Sequence, residues 1–226
     1  MSALSLLLHF TTTHRFLLVP LGLVVLFAAA WVLRLDLRGR GRLVLLYGVL
    51  LVLNVFAGPR LNAWFLHRYG IWAEALVTHQ EGTYRRYNKH PVLRCWVLLR
   101  RPGAGSAQSS FDTDDFNLYP APPDGYQYPA PGQPFTVRYV PGAEANFVIL
   151  GDDPASAFVR QQQCTGALQQ LSQAARQYQF DSADGGFRAE YRAQLTQYLR
   201  RRCGNPGLDE HYAHELRRLA RPPAAR

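Results

Sequence analysis

The chain has 226 residues, hydrophobic side chains at 48% of its positions and a formal net charge of +9. The residues before Pro59 include five arginines and one aspartate, so +4 of this charge lies in the N-terminal region. The excess of positive charge in the rest of the chain is small. This distribution argues against a nucleic-acid groove and is typical of a surface close to anionic lipid.

Two apolar runs near the N-terminus predict a transmembrane hairpin over residues 16–58, preceded by an N-terminal flank at residues 1–15. The first run, residues 16–33, has no charged side chain. At about 1.5 Å of rise per residue it crosses most of a hydrocarbon core about 30 Å thick. The second run, residues 43–58, is shorter and contains one amide, Asn54, which we expect to hydrogen-bond to the first helix.

The basic loop between the two runs, residues 34–42, predicts their orientation. It carries Arg34, Arg38, Arg40 and Arg42, and short loops rich in arginine stay in the cytoplasm. We therefore expect a two-pass protein of a bacterial inner membrane, with both termini and the C-terminal domain in the periplasm. The alternative interpretation takes residues 1–30 as a signal peptide cleaved at the small residues Ala28 to Ala30.

Residues 59–70 mix aromatic and basic side chains, which predicts a collar lying at the membrane interface. Residues 71–150 then predict a β-domain. The strand patterns start at Ile71, with a break near Glu81-Gly82, and recur at Val92–Arg100, Phe135–Val140 and Phe147–Leu150. The polar stretch GAGSAQSS is interpreted as an exposed turn. Four to six short strands predict a small antiparallel sheet or barrel.

The segment from residue 109 to 134 is rich in proline, which excludes a helix and favours extended backbone. Large aromatic side chains within it are candidates for binding a partner, because they offer contact area at low entropic cost. These candidates are Phe116, Tyr119, Tyr126 and Tyr128. The alternative is that the tyrosines only cover the β-domain. A nearby acidic cluster, Asp112, Asp114 and Asp115, lacks the glycine of a calcium loop and is interpreted as a solvated turn.

Residues 151–226 predict a helical region of about three helices. Asp153 and Pro154 predict the start of the first helix, Asp184 the start of the second and Leu208 the start of the third. The expected ends are Gly204 to Gly207 for the second helix and Pro222-Pro223 for the third. The fold class that we predict is therefore a membrane α-hairpin joined to an α+β soluble domain.

Three cysteines permit one disulfide, and Cys164 with Cys203 would join two of the predicted helices. Such a bond requires an oxidising compartment such as the periplasm. The alternative is that Cys95, Cys164 and Cys203 are all small buried apolar residues.

Few residues have the pattern of a catalytic or metal site. Glu210, His211 and His214 are weak metal candidates, because the His-Glu-x-x-His spacing is absent. A nucleophile pairing of Cys95 with His79 or His90 is conceivable, but a cysteine among apolar neighbours is more often core. We therefore predict no cofactor and no enzymatic activity.

The segment GQPFTVRYVP, residues 132–141, resembles the G-x-x-V-x-V-x-Y-x-P end strand of a family of bacterial membrane proteins of unknown function. The strands AEALVT and Val92–Leu99 contribute to this resemblance, which covers residues 70–150. It implies an extracytoplasmic β-domain on a membrane anchor and supplies no catalytic residue. Some small bacterial membrane proteins of this general build act as immunity partners of secreted antibacterial toxins, which is an analogy of architecture.

These observations predict a non-catalytic inner-membrane protein whose partners are the lipid bilayer and another protein, with no nucleic acid. The sharpest form of the hypothesis is an immunity protein against a secreted antibacterial toxin. The alternatives are an accessory protein of an envelope complex, and a metal-dependent enzyme or sensor using the C-terminal His/Glu helix.

Overall fold

The computed structural model describes residues 1–32, 36–103, 105–122, 125–203 and 206–220. Within these ranges it contains six helices and a six-stranded sheet, so the predicted α+β class is confirmed. The chain divides into two compact units, Met1–Ser156 and Ala157–Arg226.

Three helices begin the first unit: α1 (Ser2–Thr13), α2 (Arg15–Val32) and α3 (Leu37–Tyr69). The carboxylate of Asp36 caps α3 by accepting a hydrogen bond from the amide of Gly39 at 2.8 Å. Residues 59–69, for which we predicted a separate collar, are the last turns of α3. The predicted flank likewise contains a helix, α1, whose first half is rich in leucine.

Helices α1 and α2 run antiparallel to α3. The side-chain amide of Asn54 donates to the carbonyl of Thr11 at 3.0 Å, and the hydroxyl of Tyr47 donates to the carbonyl of Leu18. The expected bond of Asn54 is thus made to α1, which precedes the first apolar run.

Two different environments surround α3 along its length. Among the described residues, Gly41–Tyr69 is the one segment long and apolar enough to cross a membrane by length and composition, and α2 contains the shorter apolar stretch Gly22–Trp31. Most large apolar side chains from Val44 to Phe56 (73%) are exposed, and Leu61 and Trp64 are exposed beyond Pro59 as well. One face of this later part is buried, however, because Phe65 and Leu66 pack against Val140 and Val148.

The sheet has the strand order β3-β2-β1-β5-β6-β4. Its strands are β1 (Ile71–Tyr87), β2 (His90–Arg101), β3 (Gly105–Asp112), β4 (Leu118–Tyr119), β5 (Pro134–Tyr139) and β6 (Phe147–Leu150). Four neighbouring pairs are antiparallel, whereas β4 and β6 are parallel. The sheet is therefore mixed, which corrects the expectation of an antiparallel sheet or barrel.

Two strands differ from the predicted pattern. β1 continues beyond Glu81-Gly82, because register shifts between Val77 and His79 and between Gly82 and Arg86 absorb the interruption without ending the pairing with β2. The stretch GAGSAQSS, predicted as a turn, supplies most of the edge strand β3. Edge strands are often polar, because an apolar strand with an unpaired edge would tend to pair with another chain.

The second unit contains α4 (Ala157–Phe180), α5 (Gly185–Arg201) and α6 (Pro206–Ala220). Helix α4 begins later than predicted: the carboxylate of Asp153 accepts from the amide of Ala155 at 2.9 Å and forms a turn before the helix. The carboxylate of Asp184 accepts from the amides of Gly186 and Phe187, as an N-cap does. Helix α5 ends at Arg201, and Pro206 and Gly207, predicted as part of its stop, are the first residues of α6. Gly204, Asn205 and Pro222-Pro223 lie outside the described residues.

Apolar faces of these helices form one core, in which Leu171, Tyr191 and Leu195 are buried together. A disulfide joins Cys164 of α4 to Cys203, which follows α5, with the two Cα atoms 5.6 Å apart. The free cysteine, Cys95, lies buried in the sheet of the first unit.

Candidate functional site

A cleft of about 860 Å³ lies in the first unit, between α3 and the hairpin formed by β1 and β2. Helix α3 contributes one wall through Val55, Phe56, Pro59 and Arg60. The opposite side combines residues of the hairpin with aromatic residues of the proline-rich segment: Gln80, Tyr87, Asn88, His90, Phe116, Tyr126 and Tyr128. We call this feature the aromatic cleft.

A continuous series of rings forms the floor of the aromatic cleft. From Tyr87 at the hairpin, the series runs through Phe116 (centroids 5.3 Å apart) to Tyr126 (5.0 Å) and Tyr128 (6.2 Å). Tyr128 then contacts Phe111 of β3 at 5.2 Å. Because each ring packs against the next in edge or offset geometry, the side chains hold one another in place before any ligand arrives.

Hydrogen bonds from β1 hold the proline-rich segment that carries Tyr126 and Tyr128. The amide of Gln80 donates to the carbonyl of Pro129 at 3.0 Å, and the backbone N–H of Gly132 donates to the carbonyl of Val77 at 2.8 Å. These bonds hold residues 125–133, which form no helix or strand of their own. The position of the tyrosines is therefore set by the sheet.

An ion-pair cluster fixes the other end of the same segment. Asp112 accepts two hydrogen bonds from Arg94, at 2.9 and 3.1 Å, and also pairs with Arg85. Arg85 reaches Asp114 as well, at 3.1 Å. The side chains of Asp112 and Asp114 are only 12% and 11% exposed, so the predicted solvated turn is wrong: these carboxylates serve as buried anchors.

Asp115 completes this turn in a less favourable environment. Its carboxylate accepts from the backbone N–H of Asp112 at 2.8 Å. Burial, with smaller contributions from the charges of Asp112 and Asp114, raises the pKa of Asp115 to about 6, although the hydrogen bond and Arg85 oppose the shift. The next residue, Phe116, has a left-handed backbone with φ of 53°. This costly conformation directs its ring toward Tyr87 and Tyr126.

Three of the four predicted partner-binding residues meet in the aromatic cleft. Phe116, Tyr126 and Tyr128 are half-buried there, and burial raises the pKa of both tyrosines. Tyr119 lies elsewhere, in β4, with its ring 4.4 Å from that of His67. The structure therefore separates Tyr119 from the other three, since β4 pairs with β6 at the far edge of the sheet.

The sequence did not predict that Tyr87 contributes to the aromatic cleft or that α3 forms one of its walls. Tyr87 is separated from Phe116 by many residues, and only the pairing of β1 with β2 brings it to the cleft. A signal did exist: Tyr84 and Tyr87 are large aromatic residues next to a polar hairpin turn, where apolar side chains have no core to enter.

The weaker candidates for chemistry do not assemble into a site. Within the described residues, no three His, Cys, Asp or Glu side chains come together to hold a metal ion. The ring of His211 contacts Tyr212 at 5.3 Å, and Glu215 binds Arg218. The thiol of Cys95 accepts from Gln80 at 3.3 Å, and burial raises its pKa to about 11, so it is a poor nucleophile.

Comparisons with known proteins identify no relative of this chain. The chain matches no protein-family model, no curated protein and no solved structure. The resemblance of residues 132–141 to an end strand of bacterial membrane proteins therefore stays a prediction, and any functional conclusion depends on the aromatic cleft and on the two environments of α3.

Proposed function

We propose that this chain is a two-span bacterial inner-membrane protein that binds another protein in the periplasm and catalyses no reaction. In this proposal α2 and the first part of α3 cross the bilayer, and the β-sheet lies on the periplasmic surface. The basic segment at residues 34–42 is cytoplasmic; it was predicted as a loop, but its residues 37–42 are the first turns of α3. The aromatic cleft is the binding site.

The charges and exposure along α3 support the membrane placement. No charged side chain lies between Arg42 and Arg60, and that distance along a helix is about 27 Å, close to the thickness of a hydrocarbon core. Leu45, Leu53 and Phe56 within this stretch are exposed. Lipid would cover the exposed parts of these side chains.

The aromatic cleft is the observation that carries the binding function. Its tyrosines combine an apolar ring with a polar hydroxyl, and its rings are already packed against one another. A preformed aromatic surface loses little entropy on binding, which is why such residues dominate the energy of many protein interfaces. An apolar segment of a partner, held near the membrane, fits these features.

The sharpest form of the proposal is that the partner is a secreted toxin and that this protein neutralises it. A deletion of the gene tests this form. Cells should then poison themselves when a neighbouring effector gene is intact and survive when it is inactive. Healthy deletion mutants under conditions of effector delivery would instead favour a role in an envelope complex.

Site-specific photocrosslinking tests the binding function itself. A photoreactive phenylalanine replaces Tyr126 in the full chain, in intact membranes, and captured partners are identified by mass spectrometry. We expect a discrete adduct that is lost when Phe116→Ala is added. The control position is Phe180, an exposed residue of the second unit. Equal capture at both positions would contradict the proposal.

A further inference from the structure

We propose that the tip of the β1–β2 hairpin, residues 84–90, is a second membrane contact that binds anionic phospholipid headgroups beside α3. This inference concerns the exposed end of the hairpin, which shares Tyr87 with the floor of the aromatic cleft, and a different partner. It rests on the proposed membrane placement of α3.

The position of the tip comes from the walls of the aromatic cleft. Tyr87, Asn88 and His90 line the same cavity as Val55 and Phe56. The tip therefore lies beside the exposed apolar part of α3, about one helical turn before Arg60. If Arg60 marks the headgroup level, the hairpin tip reaches that level from the periplasmic side.

The side chains of the tip have the chemistry of a membrane interface. Tyr84 is fully exposed, at 109% of its reference area, and Tyr87 is half exposed. Arg86 and Lys89 are also exposed, and neither forms an ion pair with any described residue. Aromatic rings that intercalate at headgroup depth, together with unpaired cations, favour an anionic bilayer surface.

Backbone geometry presents these groups at a defined place. Asn88 and Lys89 form the two-residue turn, with φ of 48° and 68°, and Tyr87 pairs with His90 across it. Glycine is the usual second residue of such a turn, because a side chain there is strained. Lysine keeps a cation at the end of the hairpin. The ion pairs of Arg85 with Asp112 and Asp114 fix the strand that leads to it.

An acidic protein would also attract Arg86 and Lys89. The lipid surface is favoured because the tip exposes the ring of Tyr84 and lies beside Phe56, which is also exposed. A purely electrostatic protein contact would not need exposed rings at the level of a membrane helix.

Depth measurement with a fluorescent label tests the inference on the full chain. The label is attached to Tyr84→Cys in nanodiscs that contain nitroxide-headgroup lipid in phosphatidylcholine, with or without phosphatidylglycerol. Cys95 is buried, so the introduced thiol takes the label. The position control is Ser106→Cys, an exposed site on β3 opposite Arg100, at the other end of β2 from the tip.

We expect several-fold stronger quenching at position 84 than at position 106 in discs with phosphatidylglycerol, and weaker quenching at high salt. The added pair Arg86→Ser and Lys89→Ser should abolish the difference. The pair Arg200→Ser and Arg201→Ser, which removes the same charge from the second unit, should leave it intact.

Equal quenching at positions 84 and 106, or quenching unaffected by phosphatidylglycerol and by the Arg86 and Lys89 substitutions, would overturn the inference. Extraction of the membranes with carbonate separates this failure from failure of the proposed function. If the protein stays in the membranes but the label at the tip is not quenched, only the lipid contact is contradicted. If carbonate releases the protein, the membrane anchor is contradicted, and both the proposed function and the lipid contact depend on that anchor.

Discussion

Asn62 and Asn146 exchange two hydrogen bonds between their side chains, at 2.8 and 3.0 Å, in the interior of the first unit. Asn62 lies on α3, and Asn146 directly precedes β6. The amide of Asn146 also donates to the hydroxyl and the carbonyl of Ser5 on α1, both at 2.9 Å. All three residues are buried, so one polar node joins two helices to the sheet.

Replacing Asn146 by alanine should destabilise the first unit by about 3 kcal/mol, because the buried amide of Asn62 and the groups of Ser5 lose their partner. The measurement is the unfolding midpoint of the detergent-solubilised full chain, followed by tryptophan fluorescence. Gln127→Ala, at an exposed position, is the control and should leave the midpoint unchanged. An equal midpoint for both variants would show that the node contributes little.

Replacing Asp112 by asparagine should cost about 2 kcal/mol, because hydrogen bonds to a charged partner are the stronger class and two arginines lose theirs. The loss should loosen the segment that carries Phe116, so limited proteolysis should cut between residues 112 and 128 sooner than in the natural chain. Asp152→Asn, at an exposed site, removes the same charge elsewhere. Identical cleavage in the two variants would refute the anchoring role.

The raised pKa of Asp115, about 6, predicts a pH dependence of stability. Because the folded state holds the proton more tightly than the unfolded chain, the contribution of Asp115 is fully present below its unfolded pKa of about 3.8 and is lost as the pH rises through about 6. At pH 7.5 the buried carboxylate is ionised and unfavourable.

Asp115→Asn should therefore stabilise the protein at pH 7.5 by an amount on the order of 2 kcal/mol and have little effect at pH 4. The amide oxygen still accepts from the backbone N–H of Asp112. Unfolding midpoints of both proteins at several pH values provide the measurement. A constant difference across this range would mean that the substitution acts through packing and that titration plays no part.

The disulfide between Cys164 and Cys203 closes a segment with a sequence separation of 39 residues. Loop closure of this length stabilises the second unit by about 4 kcal/mol in the chain-entropy description. Reduction should lower the unfolding midpoint of that unit and leave the first unit unaffected. The double variant Cys164→Ser and Cys203→Ser should start at the lower midpoint and show no further response to reductant. A reductant effect on that variant would assign the change to another cause.

Much of the sheet could be predicted from apolar alternation. Phe147–Leu150 is the strand β6 as predicted, and Phe135–Val140 differs from β5 by one residue at each end. Both strands are largely buried, so their sequences carry the strand signal. Strand β3 was missed because Gly105–Asp112 is mostly polar, and its state is decided by hydrogen bonding to β2.

The candidate site was predicted only in part, because its parts come from distant segments. Phe116, Tyr126 and Tyr128 lie in one short segment, so their proximity could be expected. The wall from Val55 to Arg60 could not, because it depends on how α3 packs on the sheet through Phe65, Leu66 and Asn62. Tyr119 lies apart from the other three, because the chain passes through β4 at the opposite edge of the sheet, and this separation was not visible in the sequence.

The covalent link in the second unit also decides how that unit responds to mechanical force. A pull on the C-terminus first loads α6 and then reaches Cys203, where the sulfur bridge passes the tension straight to Cys164. Helix α5 and the larger part of α4 lie within the bypassed segment and carry no load. Force applied to the C-terminus would therefore leave α5 and the larger part of α4 folded.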